Sequence, residues 1–165
     1  MDPSNERNFT NVEFISQQML DRLSLQAKQS PRLRKNYNFH ASNADICHRL
    51  LNAMEPDSYI QPHRHLSINK DESLVVLRGK VGMIVFADDG SIRETARLEP
   101  TGNVMMANIP HGTFHTLVSL DGPCVFFEAK AGPFIPVSQE EKAPWAPPEG
   151  DAAATEYLRS LKRLF

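Results

Sequence analysis

The stretch Tyr59-Ile60-Gln61-Pro62-His63-Arg64-His65 decides how this 165-residue chain reads. It places two histidines at i and i+2. On an extended strand these side chains point to the same face; on a helix they would lie about 200° apart and could not share an ion. Pro62, immediately before them, also argues against helix. His63 and His65 are thus a metal-binding pair on a strand, with Arg64 turned the other way.

Working outward, Ser58 to Lys130 alternates short runs of Val, Ile, Leu and Phe with turn residues. The pattern predicts strands near 58–65, 73–78, 80–87, 91–98, 103–109, 113–119 and 123–130. Arg78-Gly79-Lys80 reads as a tight turn, Asp88-Asp89-Gly90 as a hairpin and Asp121-Gly122-Pro123 as a further turn. Short strands at close spacing, without intervening helices, predict an antiparallel barrel or sandwich. Outside this region the period changes. Phe14, Ile15, Met19, Leu23 and Leu25 predict a helix over 12–29, capped by Asn11 and ended at Ser30-Pro31. Ile46, Leu50, Leu51 and Met54 predict a second helix over 43–54, capped by Ser42 or Asn43 and stopped by Pro56. Residues 1–11 are polar and expected to be loose. Residues 131–150 hold five prolines. With Phe134 and Trp145 among them, they read as an extended arm that needs a surface to pack on. A short amphipathic helix is expected over 152–164, with Tyr157, Leu158, Leu161 and Leu164 on one stripe. The whole reads as one structural domain: an N-terminal segment 1–57 packed on the barrel, a barrel core 58–132, and an arm with its helix, 133–165.

Eighteen basic residues stand against twenty acidic ones, for a net charge of -2. That balance excludes a nucleic-acid scaffold, which carries a strong basic excess. No apolar run approaches the ~20 residues that cross a bilayer. Met1 to Phe9 is polar and has no signal-peptide core, so a cytoplasmic protein is expected. Cys47 and Cys124 are too few for a disulfide framework and read as buried thiols in a reducing compartment.

Imidazole alone does not complete a coordination sphere. Asp71 and Glu72 follow the histidine pair, and Pro110-His111-Gly112-Thr113-Phe114-His115 offers His115 on another strand. His63, His65 and His115 with Glu72, or with Asp71 in its place, suit one divalent transition ion: iron, manganese, nickel, cobalt or zinc. Such a set leaves open positions, which a catalytic metal needs and a closed structural site lacks.

These segments resemble the two motifs of the cupin superfamily. In the first, His63, His65, Glu72 and Gly79 fall in order, with six residues between His65 and Glu72 and Asp57 where the superfamily has a glycine. In the second, Pro110, Gly112 and His115 match, Ser119 stands in place of an asparagine, and the glycine sits early, at Gly102. The resemblance implies a mainly β cupin barrel (double-stranded β-helix, or jelly roll) with N-terminal helices and a short C-terminal helix. It also implies pairing through an edge strand into a homodimer. Four further segments, Arg34–His40, Pro62–His65, Phe127–Pro133 and Trp145–Pro147 with Glu149-Gly150, resemble the WbuC family of small cupin-fold metalloproteins. Some of those are encoded among genes for O-antigen sugar biosynthesis, so the resemblance is compatible with a small polar substrate such as a sugar or nucleotide sugar and leaves the substrate itself open.

The remaining candidates follow from parity. Glu128 and Lys130 share a face with Phe126 on the last strand. Facing inward, Glu128 is a general base or a partner of the metal ligands; facing outward, the pair is a solvated ion pair with Val125, Phe127 and Ala129 inside. Arg34, Asn36, Asn38 and His40 alternate with Lys35, Tyr37 and Phe39. That polar face suits either the wall of a cavity for an anionic or hydroxylated ligand or an ordinary edge strand. Tyr59 and Arg78 are weaker candidates of the same kind. His111 belongs to a turn, and His48 to a helix surface. Two functions fit: a metal-dependent enzyme on a small polar or anionic molecule, or a module that uses its metal to hold such a ligand unchanged.

Overall fold

The computed structural model describes residues 12–165. The expected loose segment 1–11 and the cap at Asn11 lie outside the described residues. Helix α1 spans Gln17–Gln29, and its cap is Ser16, whose hydroxyl accepts from the Met19 amide at 3.2 Å. Six strands follow: β1 (Arg34–Asn38), β2 (Cys47–Met54), β3 (Glu72–Phe86), β4 (Ile92–Leu98), β5 (Met106–Ile109) and β6 (Phe114–Ala131). Helix α2 spans Ala154–Lys162. No helix of the described residues is long and apolar enough to cross a membrane.

All pairings are antiparallel, in the order β1-β2-β6-β3-β4, with β5 also on β3. Two long strands, β3 and β6, replace the four shorter ones expected at 73–87 and 113–130. Both bend at one place. The β3–β6 register shifts around Arg78 and Lys80, where Gly79 has φ +73°. A Cβ at Gly79 would run into the Pro123 carbonyl and Cys124, so this close approach demands glycine. Opposite, Asp121 and Gly122 also take positive φ. The expected turns at Gly79 and Gly122 are therefore the two sides of one bend. It curls the sheet until Leu74 and Val76, before the bend, share a core with Met83, Leu98 and Leu117 beyond it. The Asp88-Asp89-Gly90 hairpin forms as expected, joining β3 to β4 with Gly90 at φ +87°.

The expected second helix over 43–54 is strand β2. Its residues are covered on both faces: Leu51 and Ala53 pack under α1 with Val125, while Leu50, Asn52 and Met54 face the barrel interior. A strand buried on both sides loses the alternation that identifies strands, and its apolar run imitates a helical stripe. The sheet thus begins at Arg34 rather than at Ser58. The expected strand 58–65 is instead an extended strap, tied by the reciprocal His63–His115 backbone bonds at 3.0 and 2.9 Å and by Ala143 N–H to Pro62 O at 2.9 Å.

The proline-rich arm packs as expected at Trp145, which lies between Phe86 and Phe114 with ring centroids 6.2 and 4.8 Å away. Phe134 stays exposed. Helix α2 buries Ala154, Leu158 and Leu161 against the same end of the barrel, with Tyr59 edge-on to Tyr157. Cys124 is buried, but Cys47 is exposed.

Candidate functional site

Strand register assembles the interior. Lys130 of β6 sits opposite His48 of β2 and Glu72 of β3, and Glu128 sits opposite Leu50 and Leu74. Residues directly opposite in a sheet share a face. Glu128 and Lys130 therefore point inward, and the outward salt-bridged alternative does not occur. The strap carries His63 and His65 to the same place, and the start of β6 supplies His115.

Glu72 is the hub. Its Oε1 lies 3.1 Å from His65 Nε2 and accepts from Lys130 Nζ at 2.7 Å; its Oε2 lies 3.1 Å from His115 Nε2. The His63 ring is 4.9 Å from that of His115 and 5.4 Å from that of His65, centre to centre. Ligand atoms of His63, His65 and Glu72 all lie within 4.8 Å of one another. Beyond Glu72, Lys130 Nζ donates to Glu128 Oε1 at 2.6 Å, and Asn52 Nδ2 donates to Glu128 Oε2 at 2.7 Å. Asp71 faces elsewhere: it is exposed and accepts from the His111 backbone and ring at 2.9 and 2.8 Å. Of the two candidate acids, only Glu72 joins the histidines. Arg64 also turns away, its guanidinium 4.3 Å above the Phe114 ring.

The proton arrangement shows what this cluster fits. His63 Nδ1–H donates to Gln61 O at 3.0 Å, and His115 Nδ1–H donates to Thr113 O at 2.9 Å. The Nδ1 proton of each ring is thus spent on a backbone carbonyl, which aims Nε2 at the cluster. Backbone carbonyls on Nδ1 are the usual means of aiming a ligating imidazole. The Glu72 carboxylate stands 3.1 Å from each of His65 and His115, one oxygen to each ring. His63, His65 and Glu72 form the group whose ligand atoms fit a divalent transition ion; His115 Nε2 reaches Glu72 Oε2 but stands outside that group.

Burial pushes the His63 imidazole down to about 3, with the His115 ring adding to the effect, so it stays neutral and available to ligate. Burial opposes ionisation of Glu72, yet the bonds to His115 and His65 and the charge of Lys130 outweigh it and hold the carboxyl well below the usual carboxylate range. Burial likewise works against the Lys130 ammonium, but Glu128 and Glu72 outweigh it and raise that group.

The cluster opens into a cavity of about 590 Å³. Arg34, Asn36 and Asn38 of β1 line it together with Glu128 and Lys130, as the parity of both strands predicts. His40 does not: it lies past the end of β1, buried and stacked on His48 at 3.9 Å. His48 is thus a buried strand residue, not a helix-surface one. Tyr59 lines an outer groove and donates its hydroxyl to Pro147 O at 2.8 Å. Arg78 is on the outside, binding Asp21 and Gln17 of α1. Two cavity residues, Asn52 and Arg32, and one residue of the outer groove, Glu149, escape the sequence reading. Asn52 is hidden by the expected helix over 43–54; strand parity with Leu50 and Met54 is the signal that exposes it. Arg32 and Glu149 come together across 117 residues, and no local pattern announces that pairing.

A family model described as a domain of unknown function (DUF6016) matches residues 15–98. Comparison with curated proteins finds no match. Among solved structures, TT1209 from Thermus thermophilus is similar, with a TM-score of 0.51, 23% identity, and coverage of 68% of this chain and 92% of that one. KdgF from a Halomonas species gives 0.48 and 17%, covering 62% and 82%. Oxalate decarboxylase of Bacillus subtilis, which has Mn(II) centres, gives 0.47 and 25%, covering 62% of this chain and 26% of that one. The likeness to TT1209 is one of fold, and the curled antiparallel sheet with two long bent strands is the mainly β architecture expected from the sequence.

Proposed function

From the premise that the chain belongs to the DUF6016 family and carries a histidine–carboxylate cluster in an antiparallel β-barrel, we propose that it is a metal-dependent enzyme acting on a small polar or anionic molecule. The observation that carries this reading is the Lys130–Glu128 ion pair. It sits in the same cavity as the cluster, hydrogen-bonded to Glu72 at one end and Asn52 at the other. A simple ligand-holding site needs no such acid–base pair beside its metal.

His63, His65 and Glu72, with His115 beside them, would hold a divalent metal, which would supply Lewis-acid polarisation of a substrate oxygen. The chain's own groups do the rest. Glu128 takes up a proton from the substrate, its carboxylate aimed by Asn52 and Lys130. Lys130 keeps its proton, because two carboxylates hold it, and fixes both of them in place beside the substrate. Asn36 and Asn38 give neutral donors and acceptors suited to hydroxyls. The segments resembling WbuC support a sugar or nucleotide sugar as the substrate.

The test is proton NMR in D2O on metal-loaded protein with sugar phosphates, nucleotide sugars and keto acids. Solvent deuterium should enter the substrate with the parent protein and not with Glu128→Gln, while metal content stays equal. A ligand that binds but neither exchanges nor changes supports a binding module instead.

A further inference from the structure

At the opposite end of the cavity from Lys130 stand two more cations, and a carboxylate from the chain itself covers them. Glu149, on the C-terminal arm, receives Arg32 through both Nε and Nη2 at 3.0 and 3.1 Å, and Arg34 Nη2 at 2.5 Å. Both arginines line the inner cavity and also an outer groove of about 770 Å³. They therefore stand at the mouth joining the two spaces. Arg34 is built into that position. Its side chain is only 15% exposed, and its Nη1 is fixed by the Tyr59 carbonyl at 2.8 Å and approached by Ser58 Oγ at 3.4 Å. Its second nitrogen is left facing the opening, where Glu149 meets it.

We propose that Arg32 and Arg34 form an anion subsite for a carboxylate or phosphate at the end of the substrate remote from the histidine cluster, and that Glu149 occupies this subsite in the free protein as an internal surrogate. The proposal rests on the reading of the cavity as the substrate pocket and adds the substrate's second handle. Three features favour it over a plain clamp. A guanidinium pair converging on one carboxylate is the arrangement that recognises carboxylate and phosphate. Lys130, the cation beside the cluster, is already neutralised by Glu72 and Glu128, so the inner end cannot take an unpaired anion as readily. Glu149 is also free to leave. Its arm is anchored two residues earlier, where Tyr59 holds Pro147 O, and Glu149 itself is a third exposed. Swinging one side chain uncovers both arginines without moving the barrel: the exposed Arg32 pair resists little, and Arg34 keeps the Tyr59 carbonyl as a partner when Glu149 leaves.

The probe is inorganic phosphate, titrated calorimetrically into the whole metal-loaded chain. Removing a competitor raises the fraction of open subsites, so Glu149→Gln is expected to bind phosphate at least ~10-fold more tightly than the parent. The double variant Glu149→Gln with Arg34→Gln is expected to lose that gain. Equal affinity in the parent and Glu149→Gln overturns the proposal and leaves the pair as a clamp between arm and barrel. A gain that survives Arg34→Gln overturns it too, because phosphate is then bound elsewhere, at the metal. Should melting curves show Glu149→Gln unfolded, Glu149→Asp carries the same test. It keeps the charge but is a methylene too short to hold both arginines, and tighter phosphate binding is again expected. Metal content is measured on the same samples, and the titration is repeated after chelation. Absence of bound metal in the parent would sink the metal-centre reading and leave the phosphate comparison intact.

Discussion

The two ends of the cavity are built on different principles. At the floor, each of the three charged groups has at least two partners: Glu72 meets two histidines and Lys130, Lys130 meets two carboxylates, and Glu128 meets Lys130 and Asn52. All of these rest on the central strands β2, β3 and β6 or on the strap bonded to them. At the mouth, one carboxylate on a proline-rich arm satisfies two arginines, and one of those is 64% exposed. Side-chain charges at the floor cannot relax without leaving a buried partner uncompensated; those at the mouth can exchange protein for water or ligand at small cost. The floor is thus suited to fixing reacting groups in place, and the mouth to accepting and releasing a ligand.

The sharpest way to break this contrast is to remove the central cation of the floor. Lys130→Met leaves Glu72 and Glu128 as uncompensated carboxylates in a buried space. The Lys130 side chain is 23% exposed and those of Glu72 and Glu128 are 6% and 13% exposed, so solvent screens the loss only in part. Breaking a buried pair from one side costs roughly 3–5 kcal/mol, and about 3 kcal/mol is expected here in urea denaturation of the metal-free chain. Adding Glu128→Gln should restore more than half of it, since the second change removes the charge that was stranded. A loss below about 1 kcal/mol would show that the floor is no more constrained than the mouth.

Acid probes the floor less severely. The folded His63 imidazole takes a proton only near pH 3, whereas in the unfolded chain it does so near its ordinary value of 6.5. Between these values the unfolded state binds more protons, so stability falls as pH falls. Glu72, whose carboxyl is lowered in the fold, contributes stability that is present above its ordinary 4.5 and is lost as pH drops below it, in the same direction. Between pH 6.5 and 4.5 the metal-free chain should lose about 2 kcal/mol, set by roughly 1.4 kcal/mol per pH unit and reduced for the partial solvent contact of His63. Denaturation at a series of pH values checks it. The His63→Gln variant should be flatter over that window, and an equal slope would assign the effect to other groups.

The same contrast explains what the amino-acid order discloses. Candidate metal ligands are specific residue types at fixed offsets, so His63, His65 and Glu72 stand out, with His115 against Glu72, and Arg34, Asn36, Asn38, Glu128 and Lys130, which share strand parity, line one cavity. Strand β2 misleads because helix α1 covers its outer face. Leu51 and Ala53 are buried there while Leu50 and Met54 are buried within, and nothing alternates. His40 fails for a different reason: parity continues beyond Asn38 in the sequence, but β1 ends there and the ring turns to stack on His48. Arg32 with Glu149 is the least legible feature. It depends on where the arm, fastened by Trp145 and by Tyr59, lays down a carboxylate more than a hundred residues from its partners.

The smallest effect belongs to the mouth. Arg32→Ala removes a two-pronged ion pair, yet the Arg32 side chain is 64% exposed, and Glu149 keeps its 2.5 Å contact with Arg34. Exposed pairs contribute about 0–1 kcal/mol, and because neither charge is left buried and alone, the expected loss in urea denaturation is under about 0.5 kcal/mol. The same substitution at the floor would strand a partner; here water replaces the guanidinium. The measurement also bears on the role of Glu149. If Arg32→Ala cost as much as Lys130→Met, the arm would be tied to the barrel as firmly as the floor is tied together. Glu149 could then not swing aside for a ligand, and the two ends of the cavity would be one rigid network rather than a fixed floor beneath a yielding mouth.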